Sequence, residues 1–242
     1  MTPRYRMAKV AKWLLISALI LLVVIAALFL VSRSRNYQLF GDLVSHVDTD
    51  KPLVALTFDD GPSKRYTAEI LAVLHQYQVH ATFFVTGREA SRHSAEAHAI
   101  VDAGHDLGNH SWSHSRMLLR SPSFIATEIE LTDAVIRQAG YSGDIYFRPP
   151  YGKKLFLLPW YLASHHRTTV TWSMEPDSDL NADAHTIAQK VLAEVTPGSI
   201  ILLHVMYASR DASRGALPLI IEGLQGKGYQ LVTLSQLLMS AQ

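Results

Sequence analysis

From residue 53 onward, short apolar runs alternate with segments of helical periodicity, and this alternation sets the tightest limit on the fold. Residues 53–58, 81–85, 106–109, 145–147, 168–172, 199–203 and 230–233 read as strands. Between them, 67–77 places Ile70, Leu71, Leu74 and Tyr77 on one helical face, and 123–139 does the same with Ile125, Ile129, Val135 and Ile136. Segments 88–103, 155–166, 182–195, 213–226 and 234–240 complete the helices. About seven β–α units in strict order predict a parallel sheet covered by helices. Such units either close into a barrel or spread as an open doubly wound sheet. No break rich in Pro, Gly or Ser divides residues 53–242, so one core suffices for them.

The N-terminal part has a different character. Residues 14–31 are an unbroken apolar run with one hydroxyl, Ser17. As a helix it is just long enough to cross a bilayer core. Arg4, Arg6, Lys9 and Lys12 precede it, and Arg33 and Arg35 follow. These six carry all the charge of the first 35 residues, which leaves 16 of the 22 basic residues against all 21 acidic ones. The formal +1 of the chain therefore hides a basic tail joined to an acidic domain, a balance that speaks against nucleic acid as a partner. The run is long for the apolar part of a cleaved leader, and no good small-residue cleavage site follows it, so cleavage is the second reading. The run predicts an uncleaved, single-pass anchor in the cytoplasmic membrane. With more positive charge before the run than after it, the domain that follows is expected on the outer side. Residues 1–35 thus read as tail and anchor, and 36–52 as a connector. The chain has no cysteine, so an oxidising compartment is neutral to it.

Polar clusters follow the predicted strands directly. Asp59 and Asp60 follow the first, His110 and His114 the third, Arg148 the fourth, Glu175 and Asp177 the fifth, and His204 the sixth. Parallel strands point their C-terminal ends one way, so these residues converge on one rim. Two adjacent carboxylates in Thr57-Phe-Asp-Asp-Gly-Pro62 repel unless a cation lies beside them. His110 and His114, at i and i+4, face the same way on a helical turn and suit one metal ion. With Asp60 they make a set of two imidazoles and a carboxylate, which leaves coordination positions open for water and substrate. Arg148 opens the rigid turn Arg148-Pro-Pro-Tyr-Gly152 and is placed to hold a carboxylate.

Taken in order, T-F-D-D-G, H-S-x-x-H and R-P-P-Y-G resemble the motifs of the polysaccharide deacetylases of carbohydrate esterase family 4, the NodB-homology domain, over roughly residues 53–238. The resemblance implies a distorted, incomplete (β/α) barrel preceded here by one transmembrane helix. It implies a hydrolase that removes the N-acetyl group from a glycan such as peptidoglycan, a chitin-type oligomer or exopolysaccharide. By position, Asp59 is similar to the family's general base, and Asp60, His110 and His114 to its metal ligands. Arg148 resembles the residue that orients the base, the Tyr151 backbone N–H the oxyanion donor, and His204 the general acid. The implied cofactor is one divalent ion, zinc first. The acidic partner of His204 is expected at Asp177, with Asp179 and Glu175 as alternatives, because Leu180 stands where many members carry Trp after the Asp. Two other functions stay open: a deacylase or deformylase of a lipid-linked amino sugar, and a non-catalytic sugar-binding module on the same fold.

Overall fold

The computed structural model describes residues 3–241. Helix α1 (Pro3–Arg33) comes first, and its segment Val10–Arg33 is long and apolar enough to cross a membrane, with no residue of its most apolar 18-residue stretch buried in the protein. A two-residue strand β1 (Leu43–Val44) follows, then β2 (Leu53–Asp59), α2 (Thr67–Gln76), β3 (Thr82–Val85), α3 (Gly87–Arg92), α4 (Ser94–Asp102) and β4 (Asp106–Asn109). The second half runs α5 (Pro122–Gln138), α6 (Leu157–Ser164), β5 (Thr169–Val170), α7 (Ala184–Glu194), β6 (Ile200–His204), α8 (Asp211–Gly226), β7 (Gln230–Val232) and α9 (Leu234–Leu238), with single 3₁₀ turns at Pro150–Gly152, Pro176–Ser178 and Ala208–Arg210.

All strand pairs are parallel. The sheet order is β4-β3-β2-β6, with β7 on the first three residues of β2 and β3 on the last three. Beyond β4 the ladder thins to single bridges, Asn109 to Phe147 and Phe147 to Thr169, and Met174 returns to Ile201 of β6. The ring is therefore closed by isolated bridges on one side, which makes it the distorted, incomplete barrel that the family resemblance implies rather than an open doubly wound sheet.

Period-2 alternation sorts β2 into two environments. Val54, Leu56 and Phe58 pack outward in the large cluster that includes Ile70 and Leu74 of α2, Ile187 of α7 and Leu217 of α8. Ala55 belongs to a smaller cluster with Phe84, Val170, Trp172 and Leu202, inside the ring. Thr57 and Asp59 continue that interior series towards the rim. Both faces of β2 are buried, as an interior parallel strand requires. Helix starts are written locally: Ser121 accepts from the Phe124 N–H with Pro122 beside it, Asp183 accepts from Thr186, and Thr233 and Gln236 form a reciprocal capping box.

Three expectations are corrected. Residues 145–147 form no strand, only the bridges at Phe147. Segment 88–103 is two helices, interrupted at His93 (φ −120°, ψ 50°). Residues 36–52 are more than a connector: Leu43–Val44 pairs with Thr169–Val170, and Val47 donates to the Gly198 carbonyl at 3.0 Å.

Candidate active site

The rim formed by the C-terminal ends of β2, β4 and β6 surrounds a cleft of about 500 Å³. Asp59 is the last residue of β2, and the chain then turns through left-handed backbone at Asp60 (φ 68°) and Gly61 (φ 76°). An Asp tolerates that region because its short side chain can bond locally. The turn aims the two adjacent carboxylates differently. Asp59 points down the ring, where Arg148 is fully buried beneath it. The Arg148 guanidinium donates to Asp59 Oδ1 at 2.6 Å, to Thr57 Oγ1 at 2.9 Å and to the Thr171 carbonyl at 2.9 Å, and it lies 3.9 Å over the Phe84 ring. Burial of such a pair is costly, and these bonds offset the cost. Burial alone pushes the Asp59 carboxyl up, but Arg148, with His110 and His204, outweighs it and holds the group below the usual carboxylate range.

Asp60 is treated oppositely. It is buried, yet its Oδ1 has no hydrogen-bond partner. His114 Nε2 stands 3.5 Å from that oxygen. Asp60, His110 and His114 each offer a ligand atom, all within 4.8 Å of one another. The two histidines are not on a helical turn. They lie on the loop after β4, with left-handed backbone at Ser111 (φ 66°) and His114 (φ 56°). His110 Nδ1 faces the Arg148 carbonyl at 2.8 Å, which turns Nε2 towards the carboxylates, 3.6 Å from Asp59 Oδ2. Burial first, then His110, lowers the His114 pKa, which favours the neutral, ligating imidazole.

The loop itself is tied down by residues the motif reading passed over. Buried Glu128 of α5 accepts from the Ser113 N–H and hydroxyl, both at 2.8 Å. Asn109 accepts from the Ser111 N–H at 2.8 Å and donates to Asp133 Oδ1 at 2.7 Å. A charged Glu between Ile125, Ile129 and Thr132 on the buried face of α5 was the signal available in the sequence.

On the opposite wall, His204 ends β6. Asp177 Oδ2 accepts from its backbone N–H at 2.7 Å, and Asp177 Oδ1 is 3.4 Å from its Nδ1. Ser213 Oγ donates to Asp177 Oδ2 at 2.8 Å, and Arg210 donates to the Asp177 carbonyl at 2.8 Å. Burial lowers the His204 pKa, but the bond to Asp177 and the charges of Asp59 and Asp60 overcome it, so the imidazole stays protonated to higher pH than usual. Asp179 is exposed and accepts from the Asn181 N–H at 2.9 Å instead. Glu175 lines the cleft near His204, and burial is the first cause of its raised pKa. Tyr151 sits at φ 58°, with its ring 4.6 Å from His114. Trp172 and Tyr207, not anticipated as site residues, line the cleft as well, and the Trp172 Nε1 is buried without a partner.

Parallel strands in an open ring, with this polar rim, define a NodB-like α/β fold. The chain belongs to the polysaccharide deacetylase family, whose sequence model matches residues 46–170. It is 34% identical over 192 residues to the peptidoglycan-N-acetylmuramic acid deacetylase PdaC of Bacillus subtilis, covering 79% of this chain but only 40% of that relative's length. It superposes on the crystal structure of the Bc1960 peptidoglycan N-acetylglucosamine deacetylase with a TM-score of 0.78 and 32% identity, over 82% of this chain and 94% of the other. BA3943 from Bacillus anthracis, described as a pseudoenzyme of carbohydrate esterase family 4, is also similar (TM-score 0.76, 26% identity, 84% of this chain, 71% of that one).

Proposed function

We infer that the protein is a metal-dependent hydrolase that converts the N-acetyl group of peptidoglycan sugars to acetate and a free amine. The observation that carries this reading is the buried, unpartnered Asp60 Oδ1 beside His110 and His114. An orphaned carboxylate oxygen next to two imidazoles fits a divalent cation, with zinc the first choice for this donor set. When bound, such a cation lowers the pKa of a water and polarises the acetyl carbonyl. The chain's own groups supply the rest. Asp59, kept ionised and oriented by Arg148, accepts the proton of the attacking water. The Tyr151 N–H donates to the carbonyl oxygen as negative charge develops there. His204, held by Asp177, gives its proton to the departing sugar nitrogen, because an amine anion is too basic to leave unprotonated. Helix α1 anchors the barrel on the outer face of the cytoplasmic membrane, a placement supported by the basic residues before the apolar run and by relatives named for peptidoglycan.

A non-catalytic module is the second reading, because a structural neighbour is a pseudoenzyme. It predicts a missing ligand or base, and this chain has Asp59, Asp60, His110 and His114 all in place. Mass spectrometry of acetate release from peptidoglycan fragments, chitin oligomers, exopolysaccharide and lipid-linked amino sugars separates these readings. Release from peptidoglycan is expected to stop on chelation and return with a divalent ion. No release from any substrate by metal-loaded protein, or full activity in metal-free protein, overturns the proposal.

A further inference from the structure

The end of α1 is fastened to the loop that carries the active-site Tyr151. Ser32 is buried, and its carbonyl accepts from the Lys154 N–H at 3.0 Å. The fully buried Lys154 side chain donates to the Ser34 carbonyl, and Thr171 Oγ1 donates to the Arg35 carbonyl at 2.6 Å. Lys153 Nζ lies 5.6 Å from the ring of Phe29, one turn inside the helix end. No slack chain separates membrane helix from barrel, and the 153–156 loop stands level with the last turn of that helix.

A cluster of large apolar side chains left in the open continues from this joint. Phe156, Leu157 and Trp160 are 45%, 40% and 51% exposed at the start of α6. Tyr37 and Phe40, 54% and 43% exposed, precede Gly41, where an added Cβ would meet Ala163 of the same helix at 2.8 Å. Cations gather beside them: Lys153 has its ammonium pKa depressed by partial burial and then by Arg33 and Arg116 nearby. Aromatic residues with flanking Lys and Arg are the composition of a membrane–water interface.

We propose that this face of the barrel rests on the lipid surface from which α1 emerges, with Tyr37, Phe40, Phe156 and Trp160 in the headgroup layer and Arg33 and Lys153 on anionic lipid. The cleft, edged by Tyr151 two residues before Lys153, is then held at a fixed, short height above the bilayer. The inference rests on α1 spanning the membrane, and the test separates the two.

The chain has no cysteine, so single labels can be introduced into the full-length protein. Trp160→Cys, Phe156→Cys and Phe40→Cys report on the face. Met239→Cys is the control: it is 78% exposed after α9, which packs at the starts of β3 and β4 through Leu234 N–H to Thr82 Oγ1 (2.8 Å) and Ser235 N–H to Asp106 Oδ2 (3.0 Å), the end opposite the cleft. Each variant, checked for acetate release, carries a fluorophore in phosphatidylcholine vesicles with and without phosphatidylglycerol, both containing headgroup-depth nitroxide lipid. Quenching at 40, 156 and 160 is expected to be severalfold stronger than at 239, and stronger with phosphatidylglycerol. Lys153→Glu should remove the dependence on phosphatidylglycerol. Quenching equal to that at 239, in protein that resists carbonate extraction, overturns the inference and leaves the anchor standing. Extraction by carbonate removes the anchor reading and the inference with it.

Discussion

On the β2–β4 wall of the cleft, Asp60 keeps a buried carboxylate oxygen without a partner, whereas on the β6 wall both oxygens of Asp177 are taken. The first wall has an unmet hydrogen-bonding capacity, which the proposed function assigns to a cation. The second is a closed network that holds His204 whether or not anything is bound. Two acids in similar burial are thus set to different tasks by how many donors surround them.

This contrast breaks most sharply under substitution of the first wall. Asp60→Ala or His114→Ala should abolish bound metal and nearly all turnover, measured by elemental analysis and acetate release on the same sample. A metal-loaded, active Asp60→Ala protein would show that the orphaned oxygen is not a ligand. Next in size, Asp59→Asn should cost roughly 10²–10⁴-fold in kcat with metal retained, because a base is not needed for coordination. If Asp59→Asn instead empties the site while Asp60→Ala does not, the two roles are reversed.

The second wall should respond without touching the metal. His204→Ala is expected to lower kcat by roughly 10²–10⁴-fold, with metal content and melting temperature kept. A merely packed histidine would show the opposite, lower stability and near-normal turnover. Asp177→Asn should be milder, about 10–100-fold, as for an orienting group one step from the chemistry. It also carries a signed pH effect. His204 must be protonated to act as the acid, so activity falls as pH rises through its pKa. Asp177 raises that pKa, so its neutralisation should move the alkaline limb of the kcat/KM profile to lower pH. An unmoved limb would assign that limb to another group. Asp179→Asn should stay within about twofold, since its exposed carboxylate serves only the turn to Asn181. A loss at Asp179 larger than at Asp177 would show that the resting contact is not the working one.

Much of the fold was legible because its signals are local. The buried run of β2, the capped amphipathic helices α5 and α7, and the order of β–α units all follow from short-range pattern. Where the pattern misled, a longer-range contact took over. Residues 145–147 look like a strand, but the ring is distorted there and Phe147 makes only isolated bridges. Leu43–Val44 looks like connector until β5 offers it an edge. The spacing of His110 and His114 suggests a helix, yet Asn109 and Glu128 hold them on a loop whose left-handed turns bring both rings to Asp60.

The amino-acid order by itself determined the chemical inventory: an apolar helix at the start, an alternation of strands and helices, and five polar clusters at the ends of the expected strands, since strand direction alone sends those ends to one rim. It favoured Asp177 over Asp179 and Glu175 only by resemblance, since the three lie within five residues of one another and are alike in chemistry. Nor could it distinguish Asp59 from Asp60 except by resemblance. What surrounds each carboxylate was decided by tertiary structure, because it depends on which distant donors arrive: Arg148 from the turn after Phe147, under Asp59, and Ser213 from α8, beside Asp177. The packing of the chain just after α1 on Lys154 and Thr171 is of the same kind, because it joins residues more than a hundred positions apart in the chain.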